Sequence, residues 1–311
     1  MAKKRIHTAG LTGKELEKQI KRMKISKVNQ AKRYTRSKAG NFFYILFLLL
    51  AAAFSVLPLI YCVATSFKPL DELLVFPPRF FVYRPTVQNY AALPGLLSSL
   101  RVPLTRYIFN SLFVSVVTTA LYIIFSTAAA FALSKSKLRF RKVFFLMVQF
   151  ALLFNAFTLA IPQYLIYSYL GIIDTYWVYI LPMLAGTMGG FLMKQYMEGS
   201  IPDALLEAAR IDGAGPYRIF FQIAIPMVKP CIMTLMLFGF RDAWAIAPGE
   251  TIFTESLKTL PGAVSQITAA GIARAGSSMA ITVILMIPPI LVYMISQSNV
   301  LESMNSAGIK G

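Results

Sequence analysis

Charge is scarce in this chain, and acid is scarcer than base. Only 14% of the 311 residues are charged, and 13 Asp+Glu stand against 31 Lys+Arg. An ordinary soluble domain carries about 25% charge, so a soluble globular fold is already excluded. The one histidine, His7, sits in a polar tail, which rules out histidine-based catalysis or metal binding. The two cysteines, Cys62 and Cys231, lie in apolar runs; they form no disulfide framework and have no metal-ligand spacing. A Gly-x-x-x-x-Gly-Lys-Ser/Thr phosphate loop is missing, and so is any visible nucleophile–base cluster. The formal charge of +18 would suit nucleic acid, but 13 of the basic residues fall within the first 40 positions.

What is present is length without charge. The composition is 57% hydrophobic with a mean hydropathy of +0.62, and a helix crosses a bilayer with roughly 20 apolar residues. Phe42–Phe67, Tyr107–Leu133, Val143–Ile173, Thr175–Met193 and Ala275–Leu301 meet that need. Pro162 and Gly171 predict that the third run ends as a short helix outside the bilayer. Met227–Ala247 is interrupted by Arg241 and Asp242 and is counted as the fifth of six spans on charge grounds. With six spans, the loops on the side of the termini hold 23 Lys+Arg and the opposite loops hold 7, the bias that places the basic side in the cytoplasm. The expectation is an all-α membrane protein with six transmembrane helices. A basic cytoplasmic tail covers 1–41, the membrane domain 42–297, and a cytoplasmic tail 298–311. The first tail is too long for a signal-peptide n-region. It either attracts anionic lipid, at about 1 kcal/mol per basic residue near the surface, or only fixes topology.

One cytoplasmic loop, about 198–226, carries more than topology. Asp203 beside Pro202 reads as a helix start, since acid is favoured near a helix N-terminus. Ala204–Ile211 are strong helix formers, and Gly213 with Gly215-Pro216 ends the helix. A second amphipathic helix runs from Tyr217 to about Ile223, before Pro226 at the membrane. Small residues Ala208 and Ala209 on one side shape this helix–turn–helix to be gripped by another protein.

The run Glu207-Ala208-Ala209, Gly213 four positions on, then Ile223, Ile225 and Pro226, resembles the signature of permease subunits of binding-protein-dependent ABC importers. The family usually has Leu where Ile225 stands. The resemblance extends over most of residues 42–311. Ser66-Phe67-Lys68-Pro69, Phe76-Pro77-Pro78, Pro85-Thr86-Val87-Gln88-Asn89-Tyr90 and Asn110-Ser111-Leu112 are similar to the carbohydrate branch, in particular its smaller maltose-system-like permease. Ser306–Gly311 resembles that subunit's C-terminal ending, whereas Gln297–Glu302 departs from its aromatic-rich stretch.

The resemblance implies the type I importer permease fold and a multi-pass protein of the cytoplasmic membrane with both termini inside. It implies a non-catalytic subunit that binds no cofactor, with ATP and Mg used by a partner ATPase. The implied partners are a second homologous permease, two ATP-binding subunits, an extracytoplasmic solute-binding protein, membrane lipid and a sugar, with no nucleic acid. Glu207, Ala208, Ala209, Asp212, Gly213, Ile223 and Pro226 are the implied ATPase-coupling residues. For the substrate path the candidates are Asn110, Asn155, Asp242 and Trp244. An intramembrane charge is costly and faces a cavity, a partner or an interface. Asp242 and Trp244 therefore either contact sugar or form an interfacial pair with an aromatic anchor. Two alternatives stay open: an importer permease for a non-sugar solute, and an ion-driven secondary transporter. The latter favours an internal repeat and several embedded carboxylates, and only Asp242 is available.

Overall fold

A computed structural model describes residues 38–98, 102–136, 138–154, 156–247, 249–269, 271 and 274–308. The basic tail over 1–37 and the candidate Asn155 lie outside the described residues. Among those described every regular element is helical, as expected. The described chain divides into two compact units, up to Leu59 and from Ile60 onward. The first contains most of α1 (Lys38–Ser66), with side chains from Ala39 to Leu59 exposed. That apolar surface requires hydrocarbon around it.

In the second unit, short helices α2 (Leu70–Leu73) and α3 (Gln88–Ser98) precede the long α4 (Leu104–Lys135). There follow α5 (Arg141–Ala151), α6 (Ala156–Tyr169), α7 (Trp177–Leu184) and α8 (Thr187–Ser200). After these come α9 (Asp203–Ile211), α10 (Pro216–Met227) and α11 (Lys229–Ala245). The last are α12 (Leu260–Thr268) and α13 (Ala275–Gly308). Three single helices are long and apolar enough to span: Ala39–Ser66, Leu104–Lys135 and Ala275–Gln297. The other expected spans are broken. The third parts at Leu152–Phe154, not at Pro162 as the sequence suggests, and Pro162 lies inside α6. A proline can stay in a helix when local packing satisfies the freed carbonyl; Gly171, at φ 66°, marks the chain reversal after α6. The fourth parts at Ala185-Gly186, and the fifth follows a bend of 78° between α10 and α11.

The buried face of α4 explains its central place. Asn110, Ser111, Ser115, Thr118, Thr119, Tyr122, Ser126 and Thr127 recur at helical spacing and are all buried. Small and polar side chains let helices approach closely where lipid offers no hydrophobic drive for association. Accordingly α4 packs on α7, α8 and α11. Tyr122 fits only because glycines surround it. A Cβ on Gly186 or Gly239 would lie 2.5 or 2.7 Å from its ring, and one on Gly189 would strike its hydroxyl.

Candidate functional site

The loop between α8 and α11 folds as two helices with an outward-facing seam. Helix α9 ends in a paired C-terminal motif: Gly213 N–H donates to Arg210 O at 3.1 Å and Ala214 N–H to Ala209 O at 2.9 Å. Gly213 holds φ 80°, a left-handed conformation that favours glycine. Pro216 occupies the first turn of α10, where its missing N–H costs nothing. The expected second helix is therefore longer than Tyr217–Ile223 and contains a wide turn over Phe220–Ala224. Leu206, Ile219 and Ala224 are buried against Met193, Met197, Val228 and Leu235, which fixes the pair to the bundle. Glu207, Ala208, Asp212, Gly213 and Pro226 are exposed, while Ala209 and Ile223 are half-buried. Leu205, Ile211, Tyr217 and Phe221 are also exposed. The seam is thus small, acidic and apolar by turns.

Asp203 begins α9 but makes no side-chain capping bond. Lys135, the last residue of α4, takes its carboxylate instead, with Nζ donating to Asp203 Oδ1 at 2.8 Å and to Ile201 O at 2.6 Å. The hydrogen bond and charge of Lys135 hold the Asp203 carboxyl below its usual value.

At the opposite end of α4 the polar groups turn inward. Asn110 is fully buried; its Nδ2 donates to Ser256 O at 2.8 Å and Lys258 O at 2.9 Å, and its Oδ1 accepts from the Tyr176 hydroxyl at 2.7 Å. Ser111 Oγ accepts from Leu260 N–H at 2.6 Å. Glu255 accepts from Tyr107 at 2.7 Å, Gln266 at 2.9 Å and Lys258 at 2.6 Å. Burial works to raise the Glu255 pKa, but the bonds from Lys258, Tyr107 and Gln266 outweigh it, and the carboxyl sits below its ordinary value. Asn89 acts similarly for the segment after α1, donating to Ser66 O and Lys68 O at 2.8 Å each.

Of the four path candidates from sequence, the three that are described, Asn110, Asp242 and Trp244, do not form one open site. Asn110 has both amide ends engaged, and Asn155 lies outside the described residues. Trp244 is buried, stacks on Phe240 and donates its indole N–H to Leu285 O at 2.9 Å. Asp242 is exposed and pairs with its neighbour Arg241 at 2.8 Å. Gln163, Tyr164, Tyr167, Thr251 and Phe253 line a groove of about 830 Å³ between α6 and the segment before α12. Sequence reasoning missed Lys135, Tyr107 and Glu255. Lys135 was legible only as one of several basic residues in a short loop, and Glu255 had no spacing signal.

Residues 123–305, more than half of the chain, match the family described as Binding-protein-dependent transport system inner membrane component. Protein LplC of Bacillus subtilis (strain 168) is 34% identical over 219 residues, covering 67% of this chain and 69% of its own length. The galactooligosaccharides transport system permease protein GanQ of the same organism is 30% identical over 275 residues, covering 85% of this chain and 94% of its own. A solved bacterial ABC transporter involved in the import of the acidic polysaccharide alginate has a TM-score of 0.69 at 25% identity, covering 85% of this chain and 98% of that one. The chain is a multi-pass membrane protein that belongs to the family of inner membrane components of binding-protein-dependent transport systems.

Proposed function

We propose that this chain is the translocating permease subunit of an ATP-driven importer for a sugar or oligosaccharide. The observation that carries the proposal is the exposed α9–Gly213–α10 seam inside the family match. An ATPase subunit grips this seam: Ala208 and Ala209 permit close approach, and Glu207 and Asp212 supply polar contacts. Gly213 makes the turn, and Ile223 and Pro226 fix the second helix. ATP and Mg bind the partner ATPase, and this subunit is non-catalytic. A second homologous permease, two ATPase subunits and an extracytoplasmic binding protein complete the assembly. The membrane is the cytoplasmic one, with tails 1–41 and 298–311 inside. The sugar assignment rests on relatives such as GanQ. Along the path Asp242 is the candidate that stays exposed, whereas Asn110 and Trp244 act by anchoring helices.

The test is purification from native membrane in mild detergent with mass spectrometry of what accompanies the chain. A second permease and a phosphate-loop ATPase are expected. Glu207→Lys, or Gly213→Val at a backbone angle that costs a branched residue about 1–2 kcal/mol, strips away the ATPase and leaves the helical bundle intact. Recovery of the chain alone, or full ATPase retention in both variants, overturns the proposal and returns the ion-driven alternative.

A further inference from the structure

Three helix ends meet at one ammonium group. Lys135 closes α4. Ile201, which it bonds through the main-chain carbonyl, caps the C-terminus of α8 and donates its own N–H to Met197 O at 3.1 Å. Asp203, which it bonds through the carboxylate, opens α9. The cation therefore sits where the negative end of one helix and an acid at the start of another converge, the arrangement both helix dipoles favour. Its side chain is 5% exposed although its carboxylate partner is 79% exposed. Arg141 and Arg210 also act on Asp203, by charge alone. Lys135 thus ties α9 to α4 by a polar contact, beside the buried cluster that holds Leu206 of α9 with Tyr122 and Ala130 of α4.

We infer that Lys135 is a positioning residue that transmits movement of α9 to the membrane-spanning α4. The inference rests on the proposed gripping of α9 by an ATPase. Helix α9 continues covalently from α8 through Ile201-Pro202, and buried Leu206 packs it on Met193 and Met197 of α8. Lys135 closes the Ile201-Pro202 joint from the side. A displacement of α9 then moves α4 as a unit with it, because α4 is a single uninterrupted helix of 32 residues. At its far end, Tyr107, Asn110 and Ser111 hold the 255–260 segment. Movement at the loop thereby reaches the segment that borders the 830 Å³ groove. Without the ammonium, α9 keeps its apolar packing but loses its charged tie to the end of α4, and the motion passed to α4 shrinks.

The experiment uses the complete complex in proteoliposomes, with Phe253→Cys as a reporter beside the groove, since Phe253 is 64% exposed and both native cysteines are buried. Labelling by a membrane-impermeant maleimide is timed with and without Mg and a non-hydrolysable ATP analogue, alongside ATP hydrolysis and ATPase retention. Lys135→Met is expected to shrink the nucleotide-dependent change in labelling about tenfold, a typical coupling loss, with the ATPase still bound and hydrolysing. Asp203→Asn, which leaves the Ile201 bond, shrinks it about threefold, in keeping with an exposed pair. Lys135→Arg retains most of it. A full nucleotide response in Lys135→Met overturns the inference. Should Lys135→Met fail to assemble, an undiminished response in Asp203→Asn overturns it equally. Absence of any nucleotide response in the otherwise unmodified complex counts against the proposed function, not against the role of Lys135.

Discussion

The two ends of α4 are built on opposite plans. Around Asn110 and Tyr107, the buried side chains of Tyr107, Asn110 and Ser111 are each answered by a bond to the 255–260 segment or Tyr176. Around Lys135, a shielded cation meets a carboxylate that water reaches freely. Buried, fully partnered polar groups are expensive to disturb because a vacated partner has no water to replace it. A pair with one exposed member is cheap to break. The comparison teaches that one end of the helix is held by many buried bonds and the other by a single shielded cation. That is the asymmetry expected of a rod fixed to a loop at one end and worked at the other.

The largest effect should come from Asn110→Ala. It removes the amide donor from the Lys258 carbonyl and the acceptor from the Tyr176 hydroxyl, and leaves Ser256 O with Arg106 alone, a loss of about 3 kcal/mol. Thermal unfolding in detergent should move down by several degrees, far beyond the shift in Asp203→Asn at the other end. Equal shifts in the two variants would erase the distinction between the ends.

Much of this was legible from sequence, for reasons that differ by element. Long apolar windows identify spans because the bilayer imposes their length, and the left-handed Gly213 was readable because a helix that stops there needs it. The break at Leu152–Phe154 was not readable, since the residues around it are as apolar as a helix interior and Pro162 offered a more obvious place. Trp244 read as a path or interface residue because its partner, Leu285 O, is 41 positions away. Tyr122 depends on glycines 64, 67 and 117 positions later in the chain, and no local pattern announces them. Lys135 and Asp203 are 68 residues apart. Local rules found the elements, whereas the bonds that couple them are non-local.

A middle-sized effect should appear on acidification. Glu255 has a folded pKa below its ordinary 4.5, so its contribution is present above the unfolded value and is lost as pH falls through the folded one. Unfolding temperature should be flat from pH 7 to about 5 with respect to this group and fall below about 4.5. Glu255→Gln should lower the neutral plateau and flatten that acid limb, so that variant and parent converge in acid. Parallel pH curves would remove Glu255 from the network that holds the Asn110 end.

The smallest effect should come from Asp174, three residues before α7, which holds Phe253 and Thr254 from a half-buried position at the rim. Its carboxylate accepts from Phe253 N–H at 3.0 Å, Thr254 N–H at 2.8 Å and the Thr254 hydroxyl at 2.5 Å. The Thr254 hydroxyl first, and then its amide, hold the Asp174 pKa down. Solvent screens this site, and its backbone sits at φ 60°, where Asn is tolerated nearly as well as Asp. Asp174→Asn keeps the left-handed turn and one acceptor oxygen and should cost under about 1 kcal/mol. Asp174→Ala loses all three bonds and adds a strained angle worth roughly 1 kcal/mol more. Comparing the two melting shifts separates the backbone contribution from that of the charge. An equal loss in Asn and in Ala would mean that charge governs even at the rim of this end, and the contrast between its buried anchors and the open Lys135 pair would then have to be drawn from connectivity alone.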